Sequence, residues 1–496
     1  MVCTVLDAGL VEAVLPGATA ARRHRLAGAV SLRPYADVTT DASSIRAIRL
    51  TMRLLCWVLS LVTLAVLPAG LAARQVRPQA LTADESVRLG LERNAGLRAA
   101  RADADAARAL YGQARAAMLP AIRTQASYTR LSGNIPEVEF TLPGLDTTFT
   151  VLPVEVDRYQ SEVSFEQPLF TGFRLLNQTR AANLEADAAA YEVEQEQADV
   201  AFEIRRVYWA LYGAIAVRDA VATSLAQVEA HLGDVRNRVE AGAALTSELL
   251  AAQTRRSEVM LERVEAENAV RVAQLELSRL TGLPLDSPVQ PVAEANVDPP
   301  VAVTLDELTA RAIEARPQLR ALAARVAAFG AQVAATRGHW FPDLGFLARY
   351  VYARPNPYFF TDQDQFRGTW ELGASMQWDL FEGGRRIAET GEAQARLRGA
   401  EARLEHAREQ VAVDVARQYL EVRRADEAIA VALQNIEAAE EGFRVARDQF
   451  QEGMVLSAQV LEAEEAVHGA RTRHAQAIVD HQVARAALLN ALGQVW

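Results

Sequence analysis

This chain writes one pattern twice. Residues 82–130 align with 304–352 at a constant offset of 222, pairing Glu85 with Glu307, Leu97 with Leu319, Arg98 with Arg320, Arg115 with Arg337, Pro120 with Pro342 and Tyr128 with Tyr350. Residues 169–283 align with 380–494 at a constant offset of 211, pairing Phe170 with Phe381, Gly172 with Gly383, Arg174 with Arg385, Tyr208 with Tyr419, Gly242 with Gly453 and Gly282 with Gly493. A sequence that repeats itself folds as copies of one structural unit. The offset changes once, by eleven residues, between 130 and 169. That difference belongs in a surface loop, where length is tolerated.

The 496 residues contain no lysine and carry a net charge of −11. A nucleic-acid binder is expected to show a basic stripe instead. Residues 52–73 read as a secretory signal peptide: Met52-Arg53 is a short basic start, Leu54–Leu67 is apolar, and Pro68–Ala73 offers small residues for cleavage. The apolar run is too short to span a bilayer as a helix. Its alternative is a buried helix of a soluble domain. Residues 1–51 then read as an upstream extension or disordered leader, with Met52 as the true start. Cys3 and Cys56 are the only cysteines, and Cys56 lies too early in the run for a lipid anchor. Beyond residue 73 there are 45 basic and 59 acidic residues, net −14. The expected mature protein is exported, acidic and independent of disulfides. No later stretch reaches 18 consecutive apolar residues, so entry into a membrane would have to be through β-strands.

Each half (74–283 and 304–496, joined by a Pro-rich linker at 284–303) reads helix, strand, loop, strand, very long helix, tip, helix. Residues 82–118 are helical in character, and Pro120 and Pro342 stop the first helices of the two halves. Past each proline the period changes from 3.6 to 2. Strands are expected at 121–130, 158–167, 343–353 and 368–378. One face of these carries Ile122, Tyr128, Tyr159, Phe165, Phe346, Tyr350, Trp370 and Trp378. The other carries Arg123, Glu162, Glu166 and Arg349. About ten residues per segment suits a tilted membrane-spanning strand, with the aromatic face toward lipid and the charged face toward a water-filled lumen. The alternative is a soluble amphipathic sheet packed on the helices. The connecting loops fall at 131–157 and 353–368, and the first holds the extra eleven residues.

From Gly172 to Val239 and from Gly383 to Phe450 there is no proline. Such lengths make roughly 100 Å of helix at 1.5 Å per residue. Leu397, Leu404 and Val411, with Ala393, Ala400 and Ala407 between them, repeat every seven residues as in a coiled coil. Gly242 and Gly453 turn the chain, Thr246 and Ser457 are placed to cap the returning helices, and Gly282 and Gly493 end them.

Four strands cannot close a transmembrane barrel, and an open edge in lipid is forbidden. Three copies give twelve strands and room for a lumen; two copies would give a barrel nearly filled by side chains. The expected fold is therefore mixed α and transmembrane β: a 12-stranded trimeric barrel continued by a long α-helical coiled-coil tunnel.

At this point the residues resemble a family, the outer membrane efflux (TolC-type) channels of Gram-negative bacteria, over roughly 81–495. The resemblance rests on the helix-to-strand steps Leu119-Pro120 and Phe341-Pro342, the strand-to-helix steps Pro168-Leu169-Phe170-Thr171-Gly172 and Asp379-Leu380-Phe381-Glu382-Gly383-Gly384, and the paired tip glycines. It implies a passive outer-membrane exit duct, with a large periplasmic portion, of a tripartite efflux or type I secretion system. The implied partners are a homotrimer's other copies, outer membrane lipid, a periplasmic adaptor (membrane fusion) protein and an inner-membrane transporter of RND, ABC or MFS type. It also implies a constriction at the periplasmic tip, at Glu248, Phe450, Val455, Gln459 and Glu462, and adaptor docking at Gly242 and Gly453. Phe450, Val455 and Gln459 depart from the family's tyrosine, basic and acidic residues, so closure here is expected to be apolar and Glu-lined. Glu248 has a second reading, as a first-turn glutamate meeting the helix dipole.

No cofactor, metal site, nucleic-acid partner or enzymatic activity is expected. His474 and His481 lie seven apart without a completing ligand set, and no phosphate-binding loop or catalytic triad is present. The alternative function is a soluble periplasmic coiled-coil adaptor or scaffold, which would carry one helical hairpin and no paired ten-residue strands. A hydrolase stands third and would need a dispersed triad.

Overall fold

The structure, a computed structural model, describes residues 79–494 except 136–137, 142–143, 145–147, 153–154, 286, 288, 293–302 and 360–363. The expected leader (1–51) and signal peptide (52–73) lie outside the described residues.

The first half runs β1 (Gln79–Leu81), α1 (Ala83–Arg93), α2 (Ala95–Ala116), β2 (Ala121–Arg130), β3 (Val138–Thr141), β4 (Thr148–Leu152), β5 (Asp157–Thr171), α3 (Arg174–Glu240) and α4 (Thr246–Thr281). The second runs β6 (Val289–Pro291), α5 (Leu305–Ala315), α6 (Pro317–Arg337), β7 (Asp343–Arg354), β8 (Arg367–Gln377), α7 (Arg385–Gln451) and α8 (Ser457–Ala491). The helical stretch expected at 82–118 is two helices. Asn94 divides them, its side chain accepting from the Leu97 N–H at 3.2 Å, because a short polar side chain competes for local backbone donors and so favours a cap. In the second half the break falls at Arg316, before Pro317 at the first position of α6, where a proline sacrifices no hydrogen bond. Thr82 and Glu85 close a capping box at α1.

The linker is more than a linker. Within it β6 pairs in parallel with β1, Gln79 opposite Val289. The long loop 131–157 also carries a hairpin of its own, β3 with β4.

β2, β5, β7 and β8 form one antiparallel sheet in that order. The two hairpins share a register. Ile122 faces Phe165 and Tyr128 faces Tyr159 in the first; Leu344 faces Met376 and Tyr350 faces Trp370 in the second. These pairs are related by the same offsets, 222 and 211, that relate the sequences. β5 runs four residues past the expected 167, to Thr171.

α3 and α7 are each 67 residues long, roughly 100 Å of continuous helix. α3 packs on α4, α7 on α8, and α3 on α8, so the hairpins of the two halves lie side by side. Leu97, Ile204, Tyr208, Leu211 and Leu277 are fully buried in the first half. Burial pushes the Tyr208 phenol up to about 12, and its hydroxyl donates to the Leu81 carbonyl at 3.1 Å. Ala400 of the heptad seam is buried, and Ala407 and Val411 are buried beside Val415 and Leu488.

The strand-to-helix step shows how the halves meet. Gly172 has φ 58°, and a Cβ there would lie 2.2 Å from the Gly338 carbonyl oxygen. Only glycine supplies both the left-handed backbone and the close approach. Its counterpart Gly383 has φ 60° and nothing within 4 Å.

Candidate functional site

Two regions concentrate unusual chemistry, the sheet and the helical tips. Alternation along each strand gives the sheet one aromatic face and one charged face. On the aromatic face, Tyr128 packs on Tyr159 with centroids 5.0 Å apart, Phe165 meets Phe346 edge-on at 6.1 Å, and Tyr350 lies opposite Trp370. Ile122, Tyr128, Tyr350 and Trp370 are exposed in the single chain. Trp378, just past β8, donates from its indole N–H to the Trp340 carbonyl at 3.3 Å. On the charged face, Arg349 reaches Glu162 on one neighbouring strand at 3.0 Å and Glu371 on the other at 3.2 Å. Arg123 pairs with Glu166. Among the described residues, no helix is long and apolar enough to cross a membrane.

At the far end of the long helices, Gly242 and Gly453 turn the chain with φ 70° and 77°. Thr246 and Ser457 do not cap the returning helices. The caps are Leu245 and Leu456, with no side-chain cap bond. Ser457 is buried, and its hydroxyl lies 2.7 Å from His231 Nε2. The donor it needs to satisfy is met from the other half: Ser457 N–H donates to Glu248 at 3.4 Å. Glu248 thus joins the first turn of α4 to the start of α8, where the helix dipole favours a carboxylate.

Of the expected constriction residues, Gln459 and Glu462 are exposed, and Glu248 and Val455 are half-buried. Phe450 differs from expectation. It is 3% exposed, packed with Val235 and Val460, edge-on to His231 at 4.9 Å and under the Arg238 guanidinium at 4.3 Å. A phenyl ring driven out of water by its own chain is part of the seam between halves, not the lining of an open passage.

Sequence reasoning missed that seam. Ser224 donates to buried Glu464. Arg255 approaches Glu464 at 3.4 Å and Glu262 at 3.5 Å, and His468 lies 3.3 Å from Glu262. Burial pushes the His231 imidazole below its ordinary value. A signal existed. At the repeat offset His231 corresponds to Gly442, Arg255 to Ala466 and Glu464 to Gln253. At each of these three positions a charged or titratable side chain in one copy has no such counterpart in the other. His481 is buried 2.9 Å from Asp426, far along α8 from the tip. Among the described residues no group of three His, Cys, Asp or Glu is placed to hold a metal.

An aromatic-faced sheet standing on two side-by-side helical hairpins is the architecture of outer-membrane channel subunits. A model of the outer membrane efflux protein family matches residues 87–283 and again 308–494, and the chain belongs to that family. It is similar to the toluene efflux pump outer membrane protein TtgF of Pseudomonas putida, 29% identical over 269 residues, 53% of this chain and 52% of TtgF. The chain thus spans about half the length of that curated relative. It is 24% identical over 344 residues to the alkaline protease secretion protein AprF of Pseudomonas aeruginosa, 67% of this chain and 69% of AprF. Its fold is similar to the CmeC outer membrane channel of Campylobacter jejuni, with a TM-score of 0.71 at 14% identity over 83% of this chain and 85% of that one.

Proposed function

We propose that the protein is an exit duct of the Gram-negative outer membrane, a homotrimer that passively conducts substrates out of a tripartite efflux or type I secretion system. The observation that carries this is the sheet. It has four strands, one aromatic face, one charged face, and free outer edges on β2 and β8. Free edges cannot sit in lipid. Three copies joined β8 to β2 remove every edge and make twelve strands, with the aromatic residues toward lipid and the Arg349 ladder toward water.

The helices support the same reading. The β5–β7 pairing inside the chain brings Gly172 against Gly338. The matching surface at Gly383 lacks any neighbour within 4 Å, as a surface left for the next copy would. Family membership favours the duct over a soluble adaptor. The chain carries no nucleotide-binding loop, so the driving energy comes from partners: a periplasmic adaptor docking at the Gly242 and Gly453 tips, and an inner-membrane transporter. Gln459, Glu462 and Val455 line the periplasmic constriction in this reading, while Glu248 and Phe450 hold it together from behind.

The test is purification from outer membranes, native mass in detergent and planar-bilayer conductance. A trimeric mass with discrete conductance steps is expected. A monomer or dimer that conducts nothing would overturn the proposal.

A further inference from the structure

Pro355–Phe359, at the start of the β7–β8 connection, leave the sheet at the end away from the helices and turn back over the charged face. Asn356 makes this happen. It is 1% exposed, although it lies in a loop between two strands. Its amide donates to the Arg367 carbonyl at 3.0 Å and to the Thr369 hydroxyl at 3.3 Å, and Thr369 shares the charged face with Glu371. Its side-chain oxygen accepts from the Tyr358 N–H at 3.1 Å. One side chain therefore ties the loop to β8 and shapes the turn. The Arg367 guanidinium stacks over the Phe359 ring at 4.9 Å as a second tie. Between loop and sheet lies a recess of about 510 Å³, with Pro357 and Tyr358 on one side and Glu162, Arg349, Val351 and Glu371 on the other. Tyr358 itself is 71% exposed, held up by its neighbours and covered by none of them.

A loop lying outside a barrel wall would have no reason to hydrogen-bond an inward-pointing threonine. A buried amide with all its partners satisfied is expensive to leave half-made, so it fixes one geometry. We propose that Pro355–Phe359, anchored by Asn356, is a size-selecting constriction at the outer mouth of the duct, with Tyr358 as the side chain that narrows it. This rests on the duct reading above. Three copies would project three Tyr358 rings into one opening, some 100 Å or more from the helical tips by the helix rise. The constriction would pass slender solutes and hold back wide ones independently of the state of the tip. Asn356 is a positioning residue; Tyr358 is the one that meets the solute.

The probe is a cysteine at Val351, beneath the loop, in a full-length background with Cys3→Ser and Cys56→Ser. Intact cells receive N-ethylmaleimide or a wide polyethylene-glycol maleimide from outside. With Asn356 intact, the small reagent should react readily and the wide one slowly. Asn356→Ala and Asn356→Asp each lose the two donated hydrogen bonds, which should raise the open fraction, and so the wide reagent's rate, by about tenfold. The small reagent's rate should change little. Tyr358→Ala should act like Asn356→Ala, and Tyr358→Phe like the parent. Heat-modifiable trimers in each variant establish that assembly is unchanged. If the wide reagent reacts with the parent as fast as with Asn356→Ala, the constriction does not exist. If neither reagent reaches Val351→Cys in intact cells while both do after lysis, the charged face is not open to the exterior. The duct reading then falls, and this inference with it.

Discussion

Glu464 and Arg255 stand 209 positions apart in the chain and meet at 3.4 Å across the seam between its two halves, with the Glu464 side chain only 2% exposed. Neither residue belongs to the pattern the halves share. Removing one partner of a buried pair strands the other, at a cost of about 3–5 kcal/mol. Arg255→Ala leaves Glu464 buried without its cation and should therefore loosen the seam where α8 meets α3 and α4, read as faster amide exchange over residues 457–470 with the sheet unaffected. Adding Glu464→Ala should restore part of the protection. Equal exchange in the parent and Arg255→Ala would show that the pair does not hold the seam.

The neighbouring His231 gives the seam a pH dependence. Burial lowers its pKa; Asp234 and Glu248 pull upward, Arg238 pushes downward, and the contact with Ser457 favours the proton. The net shift is downward. As pH falls through about 6.5, the unfolded histidine binds a proton that the folded one resists, so stability is lost below that value and retained above it. Opening at the tip, read as amide exchange divided by the intrinsic rate at each pH, should rise as pH falls from 7.5 to 5.5, and His231→Gln should flatten that rise. A parent profile that stays flat across this range would contradict the assignment.

The two faces of the sheet should respond oppositely to charge. Val163 pairs with Tyr350 on the aromatic face, and Gln125 pairs with Glu162 on the charged face. Val163→Arg should destabilise the protein in bilayers by about 2–4 kcal/mol if it sits near the midplane. Gln125→Arg, beside a glutamate, should be close to neutral. Denaturant titrations in liposomes compare them; equal losses would mean that the faces are not divided between lipid and water.

The internal pairing of β5 with β7 sets the register expected between copies. Val163 opposite Tyr350, carried through the offsets 211 and 222, predicts Ala374 of one copy opposite Tyr128 of the next. In a background lacking Cys3 and Cys56, Ala374→Cys with Tyr128→Cys should form interchain disulfides up to a covalent trimer under mild oxidation. Moving one cysteine by a single residue should abolish them, because a one-residue slip points the side chain to the other face.

Gly453 has φ 77° and open space where a Cβ would sit. Gly453→Val therefore meets no clash and only backbone strain, about 1–2 kcal/mol. Normal trimers are expected in the outer membrane, with weakened crosslinking to the adaptor and reduced export. Wild-type crosslinking would move the docking surface elsewhere on the tube.

Local periodicity carried much of the architecture in the sequence alone. A period of two in 121–130 and 343–353 predicted strands that occur within one residue of those bounds, because each side chain's face follows from the pleat of its own strand. The proline-free runs predicted helices of roughly 100 Å, and the two observed are 67 residues each, because helix continuation is decided turn by turn. The glycines at 242 and 453 marked the turns for the same local reason.

What the tertiary structure decided is everything that depends on which distant surfaces meet. Phe450 looked like a lining residue until α3 and α8 closed over it. Ser457 looked like a cap until His231 and Glu248, more than 200 residues away, took its hydroxyl and its N–H. Asn356 belonged to no local pattern until its amide met the Thr369 hydroxyl. The sequence states each segment's own preferences. Burial and long-range hydrogen bonds belong to pairs of segments, and a pair has no energy until the fold brings its members into contact.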